Sequence, residues 1–149
     1  METSNNVIRI LFLDFQKAFD LVDNNIVMNK IRNTNAPIFL QNWIHSFLEG
    51  RQQRVKINNE VSTLLNMKWG VPQGTLLGPV TFLLHINDLN TVCNSVKYVD
   101  DTTIWEACSP DLSNSKIQIA SNQVSSWCEN NNMKINVEKT KEMRDYQRK

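Results

Sequence analysis

The chain predicts an α+β fold, an antiparallel sheet with its helices on one face, and three observations carry that prediction. Apolar runs of strand length alternate with longer segments of helical period. Their order is strand, two helices, hairpin, helix, hairpin, helix, strand, and the two hairpins favour antiparallel pairing. Two adjacent carboxylates, Asp100 and Asp101, lie between β-prone runs at the expected tip of the second hairpin, while a third, Asp14, ends the first strand.

Residues 7–13 form an apolar run that reads as a buried strand. Residues 18–31 carry Ile26, Val27 and Ile31 and predict one helix, with Asp20 and Asp23 as first-turn or capping acids. Pro37 suits the first position of a second helix, where Leu40, Trp43, Ile44, Phe47 and Leu48 follow at helical spacing until Gly50 stops it. Residues 54–57, a turn at Asn58-Asn59 and residues 61–69 read as a β-hairpin. The connector 70–78 leads into an apolar helix containing Val80, Leu83, Leu84 and Leu89. After the hairpin that carries Asp100 and Asp101, Ser109-Pro110 is expected to open a helix with Ile117, Ala120, Val124, Trp127 and Cys128 on its face. Asn130-Asn131-Asn132 ends that helix, and residues 133–137 make the last strand.

A length of 149 residues suits one domain with a real core, and 41% apolar with 21% charged residues is an ordinary globular balance. No apolar run approaches the roughly 18 residues of a membrane span, and the N-terminus lacks a signal-peptide pattern. The cysteines Cys93, Cys108 and Cys128 are odd in number and show no C-x-x-C spacing, which argues against a disulfide framework or zinc site and is compatible with a reducing compartment. The net charge of +1 is small, yet basic side chains gather at Arg51, Arg54 and Lys56 and again at Lys134, Lys139, Lys141, Arg144, Arg148 and Lys149. These are either solvated faces or phosphate contacts. Unit charges about 4 Å apart repel by about 4 kcal/mol at an effective dielectric near 20, so converging carboxylates make sense where they hold divalent cations.

Four stretches then occur in one order: residues 13–20 (LDFQKAFD), 50–55 (GRQQRV), 70–89 (GVPQGTLLGPVTFLLHINDL) and 98–103 (YVDDTT). Trp127-Cys128-Glu129-Asn130, Met133-Lys134-Ile135-Asn136 and Lys139-Thr140 continue the pattern. Together they closely resemble the reverse transcriptases of non-LTR (LINE-like, jockey or CR1 type) retrotransposons, over about residues 7–143 of a partial reverse transcriptase domain spanning 1–149. The resemblance implies a right-hand polymerase palm with truncated fingers and no thumb. It implies an RNA-directed DNA polymerase that works on an RNA template, a DNA primer and dNTPs, with no membrane partner, in nucleus or cytoplasm. It also implies that the rest of the fingers and the thumb belong to a larger polyprotein.

Family roles carry over position by position. Asp14, Asp100 and Asp101 would be the catalytic carboxylates, holding two Mg²⁺ (or Mn²⁺) ions together with the Phe15 carbonyl. Phe19 matches the ring that excludes a 2′-hydroxyl, although a core role weighs equally from the residues alone. Gln73 matches a nucleotide contact beside Gly74, whose backbone the nucleotide approaches closely. Tyr98 and Val99 would lie near the primer terminus, and Lys139 near the triphosphate. His45 and His85 receive no role. Residues 144–149 are wholly polar where the family continues with an apolar strand, and only thirteen residues precede Asp14. Two readings therefore stand: a polymerase module completed by other segments, and an inactive remnant that binds metal or nucleic acid weakly. The chain alone is expected to bind a primer–template weakly and without measurable extension.

Overall fold

A computed structural model of the chain describes residues 7–146. The backbone divides into two compact units, one of residues 1–18 with 86–149 and the other Phe19–His85.

The first unit is built on one sheet. Strand β1, Val7–Leu13, is central: it pairs antiparallel on one side with β7, Asp101–Cys108, and on the other with β8, Lys141–Tyr146. Strand β6, Asn94–Tyr98, pairs antiparallel with β7 and completes the order β6-β7-β1-β8. Side chains alternate between the faces of a strand. On β7 this buries Thr102, Ile104, Glu106 and Cys108 on one face. Helix α5, Ile117–Asn130, packs against β7 and buries Ile117, Ala120, Val124 and Cys128. Each fully buried aliphatic side chain in such a layer contributes roughly 1.5–3 kcal/mol of burial free energy.

The second unit holds α2, Asn24–Arg32, and α3, Ile38–Leu48, with α1, Ala18–Leu21, leading in and α4, Leu77–Ile86, leading out. Its core includes Val22, Val27, Met28, Ile31, Ile44, Leu48, Val71 and Phe82. Four short strands lie between α3 and α4: β2, Gln52–Gln53, pairs with β5, Leu65–Asn66, and β3, Lys56–Ile57, pairs with β4, Glu60–Val61. Asn58 takes a φ of 54° in the turn that sequence placed there.

The α+β class and antiparallel sheet are as predicted, and several elements differ in detail. The helix expected to contain Leu89 ends at Ile86, and the strand expected over 61–69 is reduced to Glu60–Val61 and Leu65–Asn66, which pair with different short strands. The helix expected over 18–31 is two helices, because the Asp23 carboxylate accepts the amides of Asn25 and Ile26 and starts α2 afresh. Pro37 stands one position earlier than expected, at the N-cap of α3. Residues 109–116 form a loop and not the start of α5. There the Ser109 hydroxyl donates to Asp111, while buried Glu106 accepts the amides of Lys116 and Ile117 and so fixes where the helix begins. The last strand is Lys141–Tyr146, whereas residues 133–137 contribute a single bridge, Ile135 to Phe15. The polar tail is therefore ladder-paired through Tyr146, and residues 147–149, with the basic Arg148 and Lys149, lie outside the described residues.

Among the described residues no helix is long and apolar enough to cross a membrane. All three cysteines are free thiols, and burial pushes Cys128 up to about 11.

Candidate active site

Backbone register places the carboxylates. The β1–β7 ladder runs from Val7↔Cys108 to Leu13↔Thr102, so one more step sets Asp14 beside Asp101. Leu13 and Thr102 are buried on the face that carries α5, and alternation puts their successors in the ladder on the opposite face. The β6–β7 hairpin closes at Tyr98↔Asp101 with a two-residue loop, Val99-Asp100, so the tip lies one residue earlier than expected: Asp100 occupies it, and Asp101 is drawn into β7 by its pairing with Tyr98. All three carboxylates thus belong to one end of one sheet, as sequence predicted.

The side chains are less gathered than the backbone. Among the described residues no three acidic, histidine or cysteine side chains form a metal-holding group. The Nζ of Lys139 lies 4.0 Å from Oδ2 of Asp14. Mutual repulsion of carboxylates and attraction to an ammonium both favour this splayed arrangement. The three carboxylates offer only oxygen donors, the ligand type that suits Mg²⁺.

The loop after α5 braces this end. The Asn136 amide donates to the Asp14 carbonyl (2.8 Å), the Gln16 amide to the Lys134 carbonyl (2.8 Å), and the Asp14 amide to the Thr140 hydroxyl (3.4 Å). The two bonds flanking the Phe15↔Ile135 bridge use the carbonyls of Asp14 and Lys134, so the Phe15 carbonyl takes no part in that pair. The Phe15 ring is buried, 6.2 Å from that of Trp127. Gln16, Lys17, Asn136, Val137, Glu138 and Lys139 line an open pocket of about 550 Å³. Sequence reading gave Asn136 and Thr140 no role, since their bonds to Asp14 cross more than a hundred residues of chain.

At the hairpin tip Tyr98 is 79% exposed. Val99 has a φ of 55°, a region that β-branched residues rarely adopt. Strain of this kind, roughly 1–3 kcal/mol, persists only where the surroundings impose it.

The second unit carries Phe19, Gln73 and Gly74. Phe19 is half-buried and stacks on the fully buried ring of Phe82, centroids 5.0 Å apart and planes 26° apart. The Gln73 side-chain amide donates to the Asp20 carboxylate (3.1 Å), so this acid, which the sequence pattern marks as a first-turn or capping residue, also has a tertiary partner. Gly74 has a φ of 77° and open space where a Cβ would stand. Gly78 is needed for a different reason: a Cβ there would meet the Pro72 carbonyl at 2.4 Å.

Arg54 and Lys56 are exposed. Arg144 is engaged with Glu142 at 2.8 Å, and that hydrogen bond raises its pKa.

A model of the family described as reverse transcriptase (RNA-dependent DNA polymerase) matches residues 2–149. The probable RNA-directed DNA polymerase from transposon X-element of Drosophila melanogaster is 41% identical over 80 residues, 53% of this chain and 9% of that protein. The RNA-directed DNA polymerase from mobile element jockey of the same species is 31% identical over 140 residues, 86% of this chain and 15% of that protein. The chain thus spans a small part of the curated relatives it matches. Among solved structures, telomerase from Candida albicans, in complex with a fragment of telomeric RNA, superimposes with a TM-score of 0.68 at 18% identity, covering 95% of this chain and 27% of that one. Telomerase from Candida tropicalis gives 0.69 at 16% identity, covering 96% and 27%. At these identities the likeness is one of fold.

Proposed function

The chain belongs to the reverse transcriptase (RNA-dependent DNA polymerase) family, and from that premise we propose that it is part of the RNA-directed DNA polymerase of a non-LTR retrotransposon, joining dNTPs to a primer 3′-hydroxyl on an RNA template. The observation that carries this reading is the register: one step beyond Leu13↔Thr102 brings Asp14 beside Asp101, with Asp100 in the adjoining turn.

Asp14, Asp100 and Asp101, with the Phe15 carbonyl, are the oxygen donors proposed for two Mg²⁺ ions, for which Mn²⁺ can substitute. When bound there, such ions lower the pKa of the attacking hydroxyl and neutralise charge on the triphosphate. The protein's own contribution is positioning and electrostatics, and no nucleophilic side chain is called for. Asn136 and Thr140 hold the Asp14 backbone in place. Lys139, close to the carboxylate end, is assigned to the triphosphate. Phe19, braced by Phe82, is assigned to sugar discrimination. Gln73 and Gly74 are assigned to the incoming nucleotide, and Tyr98 and Val99 to the primer terminus.

The test is to replace the matching 140-residue stretch of the jockey polymerase with this chain and assay RNA-templated primer extension. Extension that Asp100→Ala with Asp101→Ala abolishes supports the reading. A folded hybrid whose extension is absent, or indifferent to those carboxylates, overturns it in favour of an inactive remnant.

A further inference from the structure

Arg51 belongs to the mid-chain basic group that sequence offered for phosphate contact, but its guanidinium is turned inward. Nε donates to the carbonyl of Leu48, the last residue of α3 (3.2 Å), and Nη2 donates to the carbonyls of Trp69 (3.3 Å) and Gly70. The Arg51 carbonyl meanwhile accepts the Met67 amide at 2.8 Å. One side chain therefore joins the end of a helix to the start of the 70–74 loop. A cation is well placed at a helix C-terminus, where carbonyls lack intrahelical partners.

The loop that Arg51 grips is also tied to the chain around α1. The Gly70 amide donates to the Val22 carbonyl (2.7 Å) and the Val71 amide to the Phe19 carbonyl (2.8 Å), while Trp69 bridges Asp23. The approach is close: a Cβ on Gly70 would lie 3.0 Å from the carbonyl oxygens of both Phe19 and Asp20. Gln73 closes the far side on Asp20. The two segments bearing Phe19 and Gln73 are thus fastened together, and the guanidinium holds two successive carbonyls, those of Trp69 and Gly70, at the start of the loop.

We propose that Arg51 is a positioning residue: it clamps the 69–74 loop so that Gln73 and Gly74 are presented in one arrangement, and it is not a phosphate contact. The nucleotide role of that loop rests on the polymerase reading above; the clamp itself does not. Lysine cannot replace it, because a single ammonium lacks the planar fork that addresses Leu48 and the loop carbonyls at once. Arg54, exposed between β2 and β3, and Lys56, exposed on β3, remain the phosphate candidates of this region.

The experiment compares the parent chain with Arg51→Lys and Arg51→Gln by amide hydrogen exchange, and measures the salt dependence of binding to an RNA–DNA primer–template, with Arg54→Gln as control. The clamp predicts at least about tenfold faster exchange at the Gly70 and Val71 amides in both Arg51 variants, with Thr102–Ile104 amides unchanged. It predicts an unchanged salt slope for both, whereas Arg54→Gln loses about one unit of slope. Parent-like exchange at Gly70 and Val71, or a slope reduced by about one in Arg51→Gln, overturns it. Equal loss of protection in both units overturns it too, since that marks general destabilisation. The exchange arm decides the clamp even where no primer–template binding is detected, a result that would count against the polymerase reading alone.

Discussion

The Nζ of Lys139 lies 4.0 Å from Oδ2 of Asp14, and the two side chains are 71% and 30% exposed. At the carboxylate end of the sheet this ammonium stands in the same field as any divalent cation. Exposed pairs of this kind contribute at most about 1 kcal/mol. Lys139→Met is therefore expected to tighten Mg²⁺ binding to the chain by up to about fivefold. Calorimetric titration with Mg²⁺ alone checks this, and weaker binding in the variant would count against the competition.

Glu106 is buried between β7 and the start of α5. Burial alone would raise its pKa, but the Ser115 hydroxyl, the Lys116 and Ile117 amides and the Cys93 thiol donate to it and bring it below its ordinary value. A carboxylate held down in this way stabilises the fold above its unfolded value, 4.5, and that stability is lost as pH falls through the lower folded value. Glu106→Gln should cost roughly 1–3 kcal/mol at neutral pH and flatten the acid limb. Urea midpoints from pH 7 down to the acid transition, followed by tryptophan fluorescence, give both quantities.

Val99 pays for its left-handed backbone with strain that glycine does not feel. Val99→Gly should stabilise the β6–β7 hairpin by roughly 0.5–1 kcal/mol, the difference between the strain relieved and the entropy glycine adds. A lower urea midpoint in the variant would show that the valine side chain contributes more to packing than its φ costs.

Phe19→Val tests sugar selection in the jockey hybrid. Loss of the ring should reduce the preference for dNTP over rNTP by about tenfold or more, with some loss of stability as the stack on Phe82 disappears. A folded, active variant with unchanged preference would assign Phe19 to packing only.

Local pattern and turn chemistry made most of this fold legible. The β6–β7 hairpin is written in two β-prone runs about a two-residue tip, whereas the break at Asp23 is hidden in residues 18–31, whose apolar spacing reads as one continuous helix. β8 was not legible, because Lys141-Glu142-Met143-Arg144-Asp145-Tyr146 has no strand-like apolar pattern. Its place comes from pairing with β1 and from the contact of Arg9 with Glu142 at 2.8 Å. Residues 133–137 have the apolar alternation of a strand, yet Val137 is 79% exposed and a single bridge forms. Within the site, sequence places Asp14, Asp100 and Asp101 at one sheet end, since strand ends and turns are local features. The Gln73–Asp20 hydrogen bond and the inward turn of Arg51 depend on tertiary contacts and leave no local signal.

The central claim is that the end of the sheet bearing Asp14, Asp100 and Asp101 takes divalent cations. Paramagnetic broadening by Mn²⁺ in amide NMR spectra of the chain tests it most directly. The account predicts broadening centred on Asp14, Phe15 and Val99–Asp101, displaced by Mg²⁺, weakened in Asp14→Asn and lost in Asp100→Ala with Asp101→Ala, while the strand amides keep their parent positions. Broadening centred elsewhere, or unchanged in the double variant, would contradict it.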